Sequence, residues 1–264
     1  MTKLTQDERF IQEVFKYFGF ELNRLDGEAN PDFLTDDGQY QILLELKTKE
    51  ENPERAEERA AELEEKEVVL EVVPLSRNNR IAKLSQKAAN QLRLKKSTHA
   101  ADFCFVVLQA SGRSEAEHME QFEASVYGST HLITFDMPEE SLKKCYYFHN
   151  SDFFNGRDIL DGAILIGEGR ARFCINDLSP RYELVRDSAF VRAFSEGVID
   201  PVAKEADGKA YSVRTDVDRN DEEAVLAHLR EKYGLDKVMG FNFAMHSAIA
   251  KVKDFSAYPN ISGG

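Results

Sequence analysis

Pro31-Asp32-Phe33-Leu34-Thr35-Asp36-Asp37-Gly38-Gln39-Tyr40-Gln41-Ile42-Leu43-Leu44-Glu45-Leu46-Lys47 is the stretch that decides the reading of this chain. Asp36-Asp37-Gly38 is a turn signal with apolar residues on both sides, which predicts two antiparallel strands of one hairpin. Side chains alternate along a strand with period two, so Glu45 and Lys47 share a face. The hairpin brings Asp32 back beside them. Two carboxylates next to one lysine predict a divalent-metal site.

Upstream, Phe10, Ile11, Val14, Phe15 and Phe18 form the apolar stripe of a helix that Thr5 or Asp7 caps and Gly19 ends. Phe20 to Leu25 alternates as a half-buried strand, and Asp26-Gly27 supplies the turn into the next strand near Pro31. Gln39 to Lys47 is the third strand. Glu50 to Glu67 is rich in glutamate, interspersed with Arg55, Arg59 and Lys66, and predicts a solvated helix opening after Pro53. Val68 to Pro74 reads as a strand, and Thr48 to Pro74 as an insertion. Ser76 to Lys96 is a helix burying Ile81, Leu84, Ala88, Ala89 and Leu92, followed by a buried strand over Asp102 to Leu108. Farther on, helices are expected over Arg113 to Tyr127, Asp187 to Glu196 and Asp221 to Tyr233, and strands over Thr130 to Phe135, Ala163 to Ile166 and Arg170 to Ile175. Gly167-Glu168-Gly169 turns a hairpin rather than cradling phosphate, because no helix follows it. Ser256 to Gly264 reads as a frayed tail.

Composition narrows the classes. The chain has 264 residues, 42% hydrophobic and 31% charged, with no apolar run that would span a bilayer and a polar start unlike a secretory signal, so a cytoplasmic protein without a membrane segment is expected. Cys104, Cys145 and Cys174 are odd in number and lack Cys-x-x-Cys spacing, which predicts buried, reduced thiols. His118, His131 and His149 lack the close spacing of metal ligands. A formal charge of −13 disfavours broad binding of phosphate backbones and leaves only local contact, for which Arg77, Arg80, Lys83, Lys87, Arg93, Lys95 and Lys96 are the cluster available.

The order helix, three strands, helix, strand, with Asp32 opening the second strand and Glu45-Leu46-Lys47 on the third, resembles the PD-(D/E)xK nuclease superfamily over Leu4 to Leu108. The resemblance implies an α/β, restriction-endonuclease-like core, a mixed sheet flanked by helices, over residues 1–110 with an acidic insertion at about 48–74. Residues 111–264 would then be an α+β extension packed on it. It also implies that Asp32, Glu45 and the Leu46 backbone carbonyl bind Mg²⁺, with Mn²⁺ as a substitute, and that Lys47 orients or helps deprotonate the attacking water. Members often carry a further acid on the first helix. Of Glu8 and Glu13, Glu8 borders the apolar stripe and Glu13 lies opposite it, so Glu8 is the candidate; the alternative is a first-turn carboxylate serving the helix dipole. Members also contact substrate phosphate from the second helix, where Gln91 and Lys95 continue the stripe of Leu84 and Ala88; the alternative is a helix edge whose polar ends reach water.

The expected function is metal-dependent endonucleolytic hydrolysis of nucleic acid, most readily DNA, in restriction, phage defence or repair. A homodimer would supply two sites for two strands, and the acidic surface points to a partner protein that delivers substrate. The rivals are a noncatalytic interaction protein on the same fold and a nuclease acting on RNA.

Overall fold

Thr5 opens the first helix with a capping box: its hydroxyl accepts the Glu8 amide while the Glu8 side chain accepts the Thr5 amide. Asn52 and Asn78 cap two later helices by accepting amides of the first turn, with no reciprocal bond, and the helix behind Asn52 carries Pro53 in its opening turn, where a missing N–H costs nothing. The computed structural model describes residues 4–25, 27, 31–135, 141–167 and 169–251. Its elements begin α1 (Gln6–Tyr17), β1 (Asn23–Arg24), β2 (Phe33–Asp36), β3 (Gln41–Lys49), α2 (Pro53–Glu65), β4 (Val68–Pro74), α3 (Asn79–Lys95) and β5 (Phe103–Ala110). They continue α4 (Glu115–Tyr127), β6 (Thr130–Thr134), β7 (Leu142–Tyr146), α5 (Asp152–Asn155), β8 (Gly162–Gly167), β9 (Arg170–Ile175), α6 (Tyr182–Arg186), α7 (Ala189–Arg192) and β10 (Val198–Ile199). The remainder is α8 (Pro201–Ala206), β11 (Ala210–Ser212), α9 (Glu222–Tyr233), β12 (Val238–Phe241) and β13 (Ala244–Ala250).

A mixed seven-stranded sheet in the order β1-β2-β3-β5-β8-β9-β10 is flanked by helices. β1, β2 and β3 are antiparallel neighbours, β5 and β8 run parallel to β3, and β9 turns back on β8. β5 is buried along its whole length, as its unbroken apolar run requires of a central strand. Alternation splits the sheet between two layers. Leu43, Val106 and Leu108 pack with Ile81, Ala88 and Leu92 of α3 and Phe122 of α4, whereas Ile42, Leu44, Phe105 and Val107 pack with Ile11 and Phe15 of α1 and with Phe190 and Phe194. A second sheet, β11-β7-β6-β12, and a two-stranded ribbon, β13-β4, complete the fold.

Several expectations are modified. The strand expected over Phe20 to Leu25 narrows to Asn23–Arg24, and the turn residue Asp26 lies outside the described residues, as do Glu168 and the tail from Ser256. The helix expected over Asp187 to Glu196 is broken: α7 is four residues long and a 3-10 turn follows at Ser195–Gly197. The glutamate-rich helix is not solvated all round, because Arg59 is buried and ion-paired with Glu51 at 2.6 Å and Glu71 at 3.5 Å. Its following strand pairs with β13, from the far end of the chain. Ala110 is not a boundary between sheets, since β8, β9 and β10 complete the sheet that β1, β2, β3 and β5 begin. The three cysteines are free and buried. Among the described residues no helix is long and apolar enough to cross a membrane.

Candidate active site

Leu43 faces α3, so Glu45 and Lys47, two and four residues on, face it too. Phe33 pairs with Leu44 and Leu34 with Leu43; one further step of this register sets Asp32 opposite Glu45. Past the last β2–β3 pair the Leu46 amide donates to Asp32 Oδ2 at 2.7 Å. The N–H and C=O of one strand residue leave by the same edge, so the Leu46 carbonyl is presented on Asp32's side of β3. Glu45 then occupies a non-hydrogen-bonded pair, the kind in which opposing side chains approach most closely.

Glu45 is 1% exposed. One of its oxygens, Oε1, accepts Lys47 Nζ, while Oε2 is buried with no hydrogen-bond partner among the described residues. Burial, and then the charge of Asp32, push its carboxyl up to about 7 against the pull of Lys47 and of the nearby Asp32 amide. Asp32 is raised above its ordinary value as well, by burial first and also by Glu8, while the Leu46 amide, Lys47 and Arg24 pull it down. These cross-influences place the two acids in one electrostatic neighbourhood. Lys47 Nζ also donates to Gln91 Oε1 at 3.0 Å, so α3 reaches the same point from above the sheet.

Glu8 is buried and close enough for its charge to be felt at Asp32, but both its oxygens are engaged, Oε1 by Arg24 Nε at 2.8 Å and Oε2 by the Thr5 amide at 2.6 Å. Burial alone would raise its carboxyl; the Thr5 amide and Arg24 outweigh that and hold it below the ordinary value. Helix capping and the ion pair are thus its visible duties, and Thr5-x-x-Glu8 already spelled the capping box in sequence. Glu13, by contrast, is exposed. Lys95, one turn beyond Gln91, is half-buried, and its side chain makes no hydrogen bond or ion pair among the described residues. Two contacts had no sequence signal: Arg24 on Glu8, and Thr48 Oγ1 on Asp7 Oδ2 at 3.1 Å, which pins the start of α1 to the end of β3.

No family model, curated protein or solved structure matches this chain.

Among the described residues no group of three or more histidine, cysteine, aspartate or glutamate side chains is disposed to hold a metal ion. Among the described residues the acids at this site are Asp32 and Glu45, with Glu8 engaged by Arg24. Two carboxylates and a carbonyl still suit a hard cation, since Mg²⁺ keeps several waters and takes one or two carboxylates together with substrate phosphate. The unpartnered, buried Oε2 of Glu45 is the atom that such a cation would satisfy.

Proposed function

We propose that this chain is a metal-dependent hydrolase of nucleic-acid phosphodiester bonds, acting first on DNA, built on a restriction-endonuclease-like core. The observation that carries the reading is the buried Glu45 oxygen left without a hydrogen-bond partner among the described residues, opposite Asp32 across the hairpin and on the face shared with Lys47. The topology supports it: one helix, three antiparallel strands, then α3 and a strand parallel to the third.

Asp32, Glu45 and the Leu46 carbonyl would hold Mg²⁺ or Mn²⁺. A bound cation of this kind supplies Lewis acidity and lowers the pKa of its water. Lys47, steadied between Glu45 and Gln91, orients the attacking water and offsets negative charge developing on the phosphate. Gln91 positions that ammonium. Arg24 keeps Glu8 and Thr5 in place and so fixes the start of α1 beneath the hairpin. Cutting both strands of a duplex requires two such sites, which a homodimer would supply, and the net charge of −13 favours delivery of substrate by a partner.

The Lys47–Glu45 ion pair is the observation that favours the noncatalytic alternative, because it already compensates one carboxylate. Calorimetry separates the two. Parent protein is expected to bind Mg²⁺ or Mn²⁺, and Asp32→Ala and Glu45→Ala to lose that signal. Plasmid, linear duplex, single-stranded DNA and RNA are then incubated with the metal. Lys47→Ala is expected to retain metal binding and lose cleavage by at least about 100-fold, the scale of a removed charge-stabilising group. A parent without metal heat, or a Lys47→Ala protein as active as the parent, overturns the reading.

A further inference from the structure

α3 has two polar flanks. Gln91 lies on the one that meets Lys47; the other, with Lys83, Gln86 and Asn90, borders a cleft of about 400 Å³ between α3 and α5. Ligand pockets for small molecules run about 300–1,000 Å³. Two of the residues lining this cleft carry a buried polar atom with no hydrogen-bond partner among the described residues. Asp152, 8% exposed, has Oδ2 without a hydrogen-bond partner, and Arg77 has Nε without one. Both residues and Ser85 line the same cleft, and the Ser85 hydroxyl and the Arg77 charge both act on the Asp152 carboxyl, yet Arg77 and Asp152 do not pair with one another. A buried acceptor and a buried donor that are both unmatched destabilise a folded chain, so a ligand offering the complementary pair would relieve both.

We propose that this cleft binds a single nucleobase, with Asp152 accepting a ring or exocyclic N–H and Arg77 donating to the adjacent ring nitrogen or carbonyl oxygen. Nucleobase edges set donors and acceptors side by side, which is the pattern that carboxylate and guanidinium side chains read. Ala82, Ala89 and Leu160 give the cleft apolar wall for the flat faces of a ring. Lys83 lies on the same lining and makes no ion pair among the described residues, whereas Arg93 is committed to Asp158 through two hydrogen bonds of 3.0 and 2.9 Å. On a surface of net charge −13, Lys83 is therefore placed to take the attached phosphate. The cleft stands apart from the Asp32–Glu45 pair, and the inference does not depend on metal or on cleavage there.

The test is calorimetric titration of the full chain, in EDTA, with the four common nucleoside monophosphates, ribose 5-phosphate and short single-stranded oligonucleotides. At least one base-bearing ligand is expected to saturate a single site, and ribose 5-phosphate is expected not to. Asp152→Ala, and independently Gln86→Trp, which narrows the mouth from an exposed position, are each expected to weaken binding at least tenfold, and Lys209→Ala, which removes an exposed lysine that does not line the cleft, to leave it within twofold. Saturation by a free monophosphate assigns the cleft to a free nucleotide; saturation by oligonucleotides alone assigns it to a base of a strand. Absence of binding by every ligand, affinity for ribose 5-phosphate equal to that for the nucleotides, or full affinity in both Asp152→Ala and Gln86→Trp overturns the assignment.

Discussion

Glu45 carries an electrostatic burden that has a sign. In the folded chain its carboxyl titrates at about 7 against an ordinary 4.5, so the folded state holds that proton more tightly than the unfolded state does. The stability this contributes is complete below about pH 4.5 and is lost as pH rises through 7, a change of about 3 kcal/mol. Glu45→Gln removes the titration while keeping an acceptor for Lys47. In EDTA at pH 8 the variant is expected to melt roughly 5–10 °C above the parent, and at pH 4 the two should melt together. Mg²⁺ at pH 8 should raise the parent's melting temperature and leave the variant's unchanged. A variant that melts below the parent at pH 8 would show that the carboxylate is held by favourable contacts and not left waiting for one. At this scale the sequence was informative about identity and face: Asp32, Glu45, Lys47 and Gln91 do meet in one place. It was silent about Arg24, whose claim on Glu8 arises from the sheet edge brought up against α1.

The ends of the elements are decided by single residues. α4 stops at Gly128, which adopts φ 58°, and a Cβ built there would stand 2.2 Å from the carbonyl oxygen of His149. Left-handed backbone costs a side-chain-bearing residue about 1–2 kcal/mol, and forcing apart packed backbone adds about 1–3 more. Gly128→Ala is therefore expected to lower the melting temperature by roughly 10 °C, checked by differential scanning calorimetry against the parent. Gly208→Ala, with φ 71° and open space at its Cβ, should cost only the backbone share. The starts at Thr5 and Asp221 were legible because these residues cap by local hydrogen bonds, whereas α3, expected from Ser76, begins only at Asn79 behind the Asn78 cap, and α2 takes its cap from Asn52 ahead of Pro53. The segment from Asp187 to Glu196 misled for an instructive reason. Phe190, Val191 and Phe194 have helical spacing, yet two short turns, one capped by Ser188 and one bent at Ser195 with φ 42°, deliver the same three side chains to the sheet.

Across the whole molecule, strands from distant parts of the chain close one another's edges. β5, in the first half of the sheet, is paired on its far side with β8, and Phe105 stacks on Phe190 with ring centroids 5.5 Å apart. Residues 1–110 expressed alone should show no cooperative thermal transition, because the edge of β5 and the apolar face beneath it lose their cover; a sharp melt and dispersed amide resonances from that fragment would contradict this. Local pattern determined the hairpin from Asp32 to Lys47, the amphipathic α1 and α3, and the buried β5, since alternation, helical periodicity and capping are properties of neighbouring residues. Which sheet each strand joins was decided only by tertiary structure. β4 finds its partner in β13 some 170 residues away, and β10 closes the main sheet beside β9 with two residues. Strand pairing is made by backbone groups that every residue carries, so no side-chain pattern specifies it, and the partner is set by which apolar faces the packed layers leave to be covered.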